Sequence, residues 1–379
     1  MASGLAEELR FGFGENWADY VEQHFSEEKI EQSLAHLLDF LKRSDLRGLS
    51  FLDIGCGSGL HSLAAHKSGA DPIFSFDYDE NSVATTRKLC ETVGRPESWV
   101  VEQGSVLDEA YMGQLPKADL VYSWGVLHHT GDMWKAVRNA LIPVKPGGLF
   151  YIALYASEMY VDPPASHWIK IKKQYNQASN LKKRQMEWGY ALHHTIIPEL
   201  RSLRNPLKAM NAYRPRGMTY WTDVRDWLGG WPMEFAGLWE TAEYVKRERG
   251  LDLVNVNTGE ACTEFLFCDL EQSEDWRKIV AERELTPLEG PFKRGTGQSW
   301  VAELSELADQ SDSSQTPQRS RLMLYEDGVP LGFWHALHDH IRVAGGGRFS
   351  HWGGRMLFST TDNSDPNSNG RTYAYCTDY

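Results

Sequence analysis

No stretch of the chain approaches the ~20 consecutive apolar residues that a bilayer-crossing helix requires, so no membrane span is expected. Cysteine is scarce. The five present, Cys56, Cys90, Cys262, Cys268 and Cys376, are irregularly placed and make neither a disulfide framework nor paired zinc knuckles, which suits a reducing compartment. The opening residues MASGLAEELRFGFGENW lack a basic segment followed by an apolar run. No secretory leader is therefore expected, and the cytoplasm is the expected location. Positive charge is in deficit, with 39 Lys and Arg against 52 Asp and Glu and a net charge of −13. Such a balance repels a polyanion unless a basic patch is segregated. The densest basic run, Lys170 to Arg184, interleaves Gln174, Tyr175 and Asn176 and reads as a solvated helix face. Neither nucleic acid nor a membrane is expected as a partner.

What is abundant is aromatic surface and alternating structure. The 379 residues include 14 Trp and 16 Tyr, ample for ligand-lining walls. Residues 26 to 43 carry Ile30, Leu34, Leu37, Leu38 and Leu41 at helical spacing behind a Ser26 cap. Apolar runs then alternate with amphipathic ones: SFLDIG, helix 60–68, IFSFD, helix 80–93, SWVVEQG, ADLVYSWG, helix 132–141 and GLFYIALY. This alternation predicts an α/β fold, a doubly wound, Rossmann-like and mostly parallel sheet of seven strands. It stops between residues 156 and 246, read as a helical insertion, and resumes in a closing hairpin, LDLVNVNTG with TEFLFCDL. The first domain should thus span 1–270, followed by a helix and linker over 271–320 and a β-rich appendage over 321–379. ADQSDSSQTPQRS has a linker's composition.

LDIGCGSGLHS, residues 52–62, places Gly55, Gly57 and Gly59 between a strand and a helix, where backbone N–H groups can approach a ligand. The spacing differs from the G-x-G-x-x-G of dinucleotide binders, and Asp53 just before it opposes a diphosphate and favours a cationic ligand. About twenty residues on, Asp77 closes the second strand, where a carboxylate can accept from both ribose hydroxyls. The third strand ends in Gly104, Ser105 and Val106 and the fourth in Ser123, Trp124 and Gly125.

With these strand ends the chain resembles a class I S-adenosylmethionine-dependent methyltransferase of the bacterial ubiquinone-methyltransferase-like subgroup. FLDIGCGSG, FDYDENSV, GSVLD, VYSWGVLHHTGDMW and KPGGLFYIALY carry the resemblance, together with RFGFGENW and RGMTYWTDVRDWLGGWPMEFA, over roughly residues 10 to 270. The resemblance implies S-adenosylmethionine as cofactor, with Asp53, Gly55 and Gly57 facing its methionine part within a turn completed by Cys56 and Gly59. Asp77 would hold the ribose, Tyr78 flank the adenine, and Ser105 and Val106 edge it. Many relatives carry Asp where Ser105 stands. Trp124 would line the methionine and acceptor side, and Phe13, Asn16 and Trp17 would fold over the cofactor.

The acceptor is less legible. Methyl transfer to a hydroxyl is helped by a base of near-neutral pKa, and His128 and His129 follow the fourth strand as candidates, with loop packing as the alternative. His193 and His194 lie in the insertion. Tyr155, His194, Arg216, Tyr220 and Trp221 are the candidates for the acceptor side, Arg216 as a fork for an anionic group or a partner of Asp223 or Asp226. The expected reaction is methyl transfer to an O, less readily an N, of a small molecule or glycan; a non-catalytic cofactor sensor or scaffold is the alternative, and the glycine spacing disfavours a nicotinamide oxidoreductase. A homodimer is left open. In the appendage, His335, His338, His340 and His351 read as a surface cluster, and DPNSNG as a hairpin loop rather than a calcium loop, since Cys376 stands where its glutamate would be. No metal is expected. GGGRFSHWG and FSTTDNSDPNSNGRTY look like a β segment appended to glycan-modifying proteins, a hint toward a sugar-containing acceptor.

Overall fold

The structure is a computed structural model that describes residues 27–157, 160, 163–212, 220–257, 262–314, 316, 319–331 and 335–377. Helix α1 (Glu27–Phe40) precedes β1 (Phe51–Ile54), and four strand-and-helix steps follow: α2 (Leu60–Lys67), β2 (Ile73–Asp77), α3 (Glu80–Thr92), β3 (Trp99–Gln103), α4 (Glu109–Gln114), β4 (Ala118–Trp124), α5 (Met133–Ala140) and β5 (Val144–Leu154). Asp79, Asp108 and Asp132 start α3, α4 and α5 by accepting from first-turn amides that would otherwise lack partners. With β6 (Asp252–Asn257) and β7 (Thr263–Cys268) the sheet runs β3-β2-β1-β4-β5-β7-β6. β2 pairs in parallel with β3, and β1 in parallel with both β2 and β4, while β6 and β7 form the expected antiparallel hairpin.

All four β1 residues are buried because the strand is covered on both faces. Phe51 lies 5.6 Å from Tyr122, and Tyr122 stands edge-on to Tyr151 at 4.9 Å. The strand order reverses at β1 and β4, the place where open α/β sheets hold ligands beyond their carboxyl ends.

The chain divides into two compact units, Met1–Tyr151 with Pro164–Glu234, and Ile152–Pro163 with Phe235–Tyr379. The first holds the helical excursion: α6 (Ala165–Gln177), α7 (Asn180–Ala191), a wide turn over Leu192–Ile196, α8 (Ile197–Arg201), α9 (Pro206–Ala212) and α10 (Tyr220–Gly229). Tyr175, Ala191, Tyr220, Val224 and Leu228 form its own small core.

In the second unit, α11 (Leu238–Arg249) and α12 (Glu274–Glu282) accompany two further four-stranded sheets. One runs β13 (Phe349–Trp352), β14 (Arg355–Phe358), β10 (Trp300–Glu303), β9 (Lys293–Arg294); the other β12 (Val329–Pro330), β11 (Met323–Glu326), β15 (Tyr373–Cys376), β8 (Thr286–Pro287). Three of these strands fall where composition suggested a linker. They are too short for a periodic signal; β8 and β10 are recruited by pairing with β15 and β14 far along the chain, and β9 pairs with β10. The DPNSNG segment likewise is no hairpin loop, because β14 and β15 belong to different sheets. Asp365 and Asn367 organise it, Asn367 Oδ1 accepting from Phe292 N–H at 2.7 Å. The histidine cluster is not all at the surface either, for His351 is buried with its Nδ1 2.9 Å from Ser320 Oγ. Among the described residues no group of His, Cys, Asp and Glu could hold a metal ion.

Emptying the Phe51 site leaves a cavity against Tyr122 in a region with no slack. Phe51→Ala is expected to cost roughly 3–5 kcal/mol in denaturant unfolding. A loss below about 1 kcal/mol would contradict this account of the core.

Candidate active site

The turn after β1 is shaped by three glycines in the left-handed region, Gly55 (φ 75°), Gly57 (φ 52°) and Gly59 (φ 77°). Gly55 has a second reason to lack a side chain, since a Cβ there would lie 2.4 Å from Val126 Cγ1. Gly59 N–H donates to Cys56 carbonyl at 2.8 Å and closes the turn onto α2. Thr86 from α3 holds the outer side, its hydroxyl donating to Gly57 carbonyl at 3.1 Å. Cys56 is buried, and burial pushes its thiol well up, so it packs and does not react.

Asp77, at the end of β2, joins this turn to the next strand. Its Oδ2 accepts from Gly57 N–H and its Oδ1 from Asp79 N–H, both at 2.9 Å. Tyr78 beside it is exposed, and Gln103 donates to the Tyr78 carbonyl at 3.1 Å.

Asp53 is buried in β1 and accepts from Ser62 Oγ at 2.5 Å; Ser62 in turn meets Ser75 Oγ, which accepts from the Trp99 indole. Burial pushes its carboxyl up to about 7, the Ser62 hydrogen bond opposing and the Asp77 charge adding to the rise. At the third strand end Ser105 is half-buried, its hydroxyl accepting from Leu107 N–H at 3.2 Å, and the buried Val106 has its carbonyl held by Asn139 at 2.8 Å.

Beyond β4, Trp124 is half-buried and a Cβ built on Gly125 would meet nothing within 4 Å. His128 and His129 then form a short helical turn with ring centroids 4.4 Å apart. They divide sharply. His128 is fully buried, and burial, then His129 and Lys172, hold its imidazole neutral, so it presents no surface to an acceptor. His129 is half-buried, and its Nδ1–H donates to Pro232 carbonyl at 2.7 Å.

Lys172 on α6 was not among the sequence candidates, although Trp168, Lys172 and Tyr175 share one helical stripe. It is 1% exposed, its ammonium donates to Trp227 carbonyl, and it sits 4.2 Å from the Trp227 ring centroid. Burial lowers it to about 7, with Asp226 opposing.

Three of the other acceptor-side candidates, His194, Tyr220 and Trp221, lie on the helical excursion. Tyr220 belongs to the core of the helical excursion, its hydroxyl 2.7 Å from Thr195 Oγ1. Trp221 is half-buried against Trp188 at 4.7 Å. His194 is exposed and stacked on Tyr190 at 4.5 Å; partial desolvation, then His193 and His167, hold it below the usual imidazole range. Tyr155 lies in the second compact unit, with Tyr160 and Phe235 around it. Helical periodicity marks which residues turn inward, but not whether they meet a ligand or each other. Phe13, Asn16, Trp17 and Arg216 lie outside the described residues.

These features fit an adenosyl ligand better than a diphosphate. Gly57 N–H is taken by Asp77, so the turn does not offer it to a phosphate, and two carboxylates favour a cationic amine and a diol over an anion. Residues 24–212 match a family model described as a methyltransferase domain. A ubiquinone biosynthesis O-methyltransferase from Methylobacterium is 32% identical over 123 residues, 31% of this chain and 45% of that protein. A tRNA U34 carboxymethyltransferase from Idiomarina loihiensis is 27% identical over 132 residues, 34% of this chain and 40% of its own length. An O-methyltransferase family protein from Burkholderia thailandensis aligns with a TM-score of 0.42 and 13% identity, over 69% of this chain and 60% of that one. The chain spans less than half the length of these curated relatives. It carries a class I S-adenosylmethionine-dependent methyltransferase domain, and S-adenosylmethionine is the cofactor.

Two buried groups make stability pH-dependent in opposite directions. Folded Asp53 keeps its proton to about pH 7, whereas the unfolded chain releases it near 3.8, so stability falls as pH rises through that interval. Folded Lys172 gives up its proton near 7 against 10.5 unfolded, so its cost is full below pH 7 and fades as pH rises toward 10.5. Together they predict a dip around neutral pH. Asp53→Asn should remove the acid-side fall and Lys172→Met the alkaline-side rise, each by up to roughly 4 kcal/mol. Melting profiles at pH 5, 7 and 9 that both substitutions leave unchanged would contradict these assignments.

Proposed function

We propose that this chain transfers the methyl group of S-adenosylmethionine to an oxygen, less readily a nitrogen, of a small molecule or glycan. The observation that carries the acceptor chemistry is His129: because its Nδ1–H is committed to Pro232, Nε2 is the basic nitrogen, placed beyond the end of β4. S-adenosylmethionine supplies, when bound, an electrophilic methyl carbon on a sulfonium.

The chain's own groups do the rest. Asp77 would hold the ribose hydroxyls, the exposed Tyr78 ring would cover the adenine, and Ser105 and Val106 would border it. Asp53, with Gly55, Cys56, Gly57 and Gly59, would line the methionine part, and its carboxyl would ionise when an ammonium partner offsets the cost of burial. Trp124 walls the acceptor side and excludes water. His129 removes the acceptor proton as the oxygen attacks. Most of the rate comes from holding acceptor and methyl about 3–3.5 Å apart in line, and the base adds roughly 10²–10⁴-fold. Lys172 stays outside the transfer step and keeps the helical excursion seated. Relatives of this domain include a protein named for tRNA, so the domain alone does not select the acceptor, and the exclusion of nucleic acid rests only on net charge.

Transfer of tritium-labelled methyl groups to a panel of phenols, sugars and amines tests the reading. His129→Ala should lower kcat about a hundredfold or more with the KM for S-adenosylmethionine little changed, whereas Asp77→Ala should raise that KM. Cofactor binding without turnover on any acceptor would favour the sensor reading.

A further inference from the structure

The helical excursion carries a surface that the methyl-transfer reading does not use. Among the large apolar side chains left exposed in the described residues, Leu181 (71% exposed), Trp188 (59%), Leu192, Leu200, Leu203 (96%) and Leu207 all fall within one stretch of 27 residues. Leu181, Trp188 and Leu192 lie seven and four residues apart, on one face of α7 and the turn that continues it. Leu203 occupies the loop between α8 and α9 with φ 57°. Four of these leucines are each followed at once by a basic residue: Leu181-Lys182, Leu200-Arg201, Leu203-Arg204 and Leu207-Lys208. Those four cations are themselves exposed.

The charge of the stretch opposes that of the chain. From Pro164 to Ala212 there are nine Lys and Arg, one of them the buried Lys172, against two Glu, within a protein of net charge −13. Of the two glutamates, Glu187 is buried and bonded to Tyr175, and Glu199 pairs with Arg204 at 3.1 Å.

We propose that this face docks on the surface of an anionic lipid bilayer. Protruding leucines beside cations on flexible stems suit the boundary between acyl chains and headgroups: the apolar groups enter while the cations reach back to the phosphates. An acidic protein would satisfy the charge, but it would need a separate concave site for each of several leucines spread over three helices and their turns. A bilayer accommodates all of them at once. No span is implied, since no helix of the described residues is long and apolar enough to cross a membrane. The sequence expectation of no membrane partner rests on the absence of such a span. Docking rests on surface residues and stands or falls independently of methyl transfer.

The test is co-sedimentation of the full chain with vesicles of phosphatidylcholine alone and with about one third phosphatidylglycerol. Pelleting is expected only with the anionic vesicles, weakening as salt rises toward about 0.5 M. Leu203→Glu with Leu207→Glu should cut the bound fraction at least roughly fivefold, and Lys182→Gln with Arg201→Gln and Lys208→Gln at least roughly tenfold, with melting curves like that of the parent chain. If the leucine pair unfolds the protein, the basic triple, which touches no core, decides. Failure to pellet with anionic vesicles, or pelleting that neither set reduces, overturns the proposal and returns the face to an acidic protein partner.

Discussion

The site depends on one carboxylate held between two strands. Asp77 receives Gly57 N–H from the turn after β1 and Asp79 N–H from the start of α3, so the first two strand ends are tied into a single geometry. This contact explains features otherwise unconnected. Gly57 can turn back toward Asp77 because its φ of 52° costs glycine nothing, and Gly55 lets Val126 close over the turn because it has no Cβ. The same bond uses up an amide a phosphate would want. The ligand class is therefore set by hydrogen-bond accounting as much as by sequence motif.

Burial creates the second constraint. Asp53 is the third residue of a strand covered on both faces, and the chain Ser62, Ser75, Trp99 offers it polar company. Burial makes ionising this carboxyl costly below about pH 7. His129 shows the complementary device, a backbone carbonyl selecting its tautomer, while its neighbour His128 is neutralised by burial and removed from the chemistry.

The parts of this protein legible in the sequence were those with local causes. The strands β1 to β5 announced themselves as apolar runs between amphipathic helices, and the ligand-type residues stood at their ends in order. The β6–β7 hairpin was likewise visible as two alternating runs. What escaped had non-local causes: β8 and β10, strands of two and four residues, exist because β15 and β14 pair with them, and the DPNSNG segment between the two sheets is held by Asn367, which is anchored on Phe292. Lys172 escaped because a lysine among lysines reads as solvated until its helix face is known to turn inward. Tyr220 was marked by aromatic density, which cannot distinguish a ligand wall from a helical core.

The central claim is that the β1 turn and Asp77 form an adenosyl site. The most direct measurement is titration calorimetry with S-adenosylmethionine, S-adenosylhomocysteine and NADH on the parent chain. The account predicts saturable binding of both adenosyl ligands and none of NADH. Binding of NADH in their place would show that the turn does cradle a diphosphate, and the assignment of every strand end would have to be withdrawn.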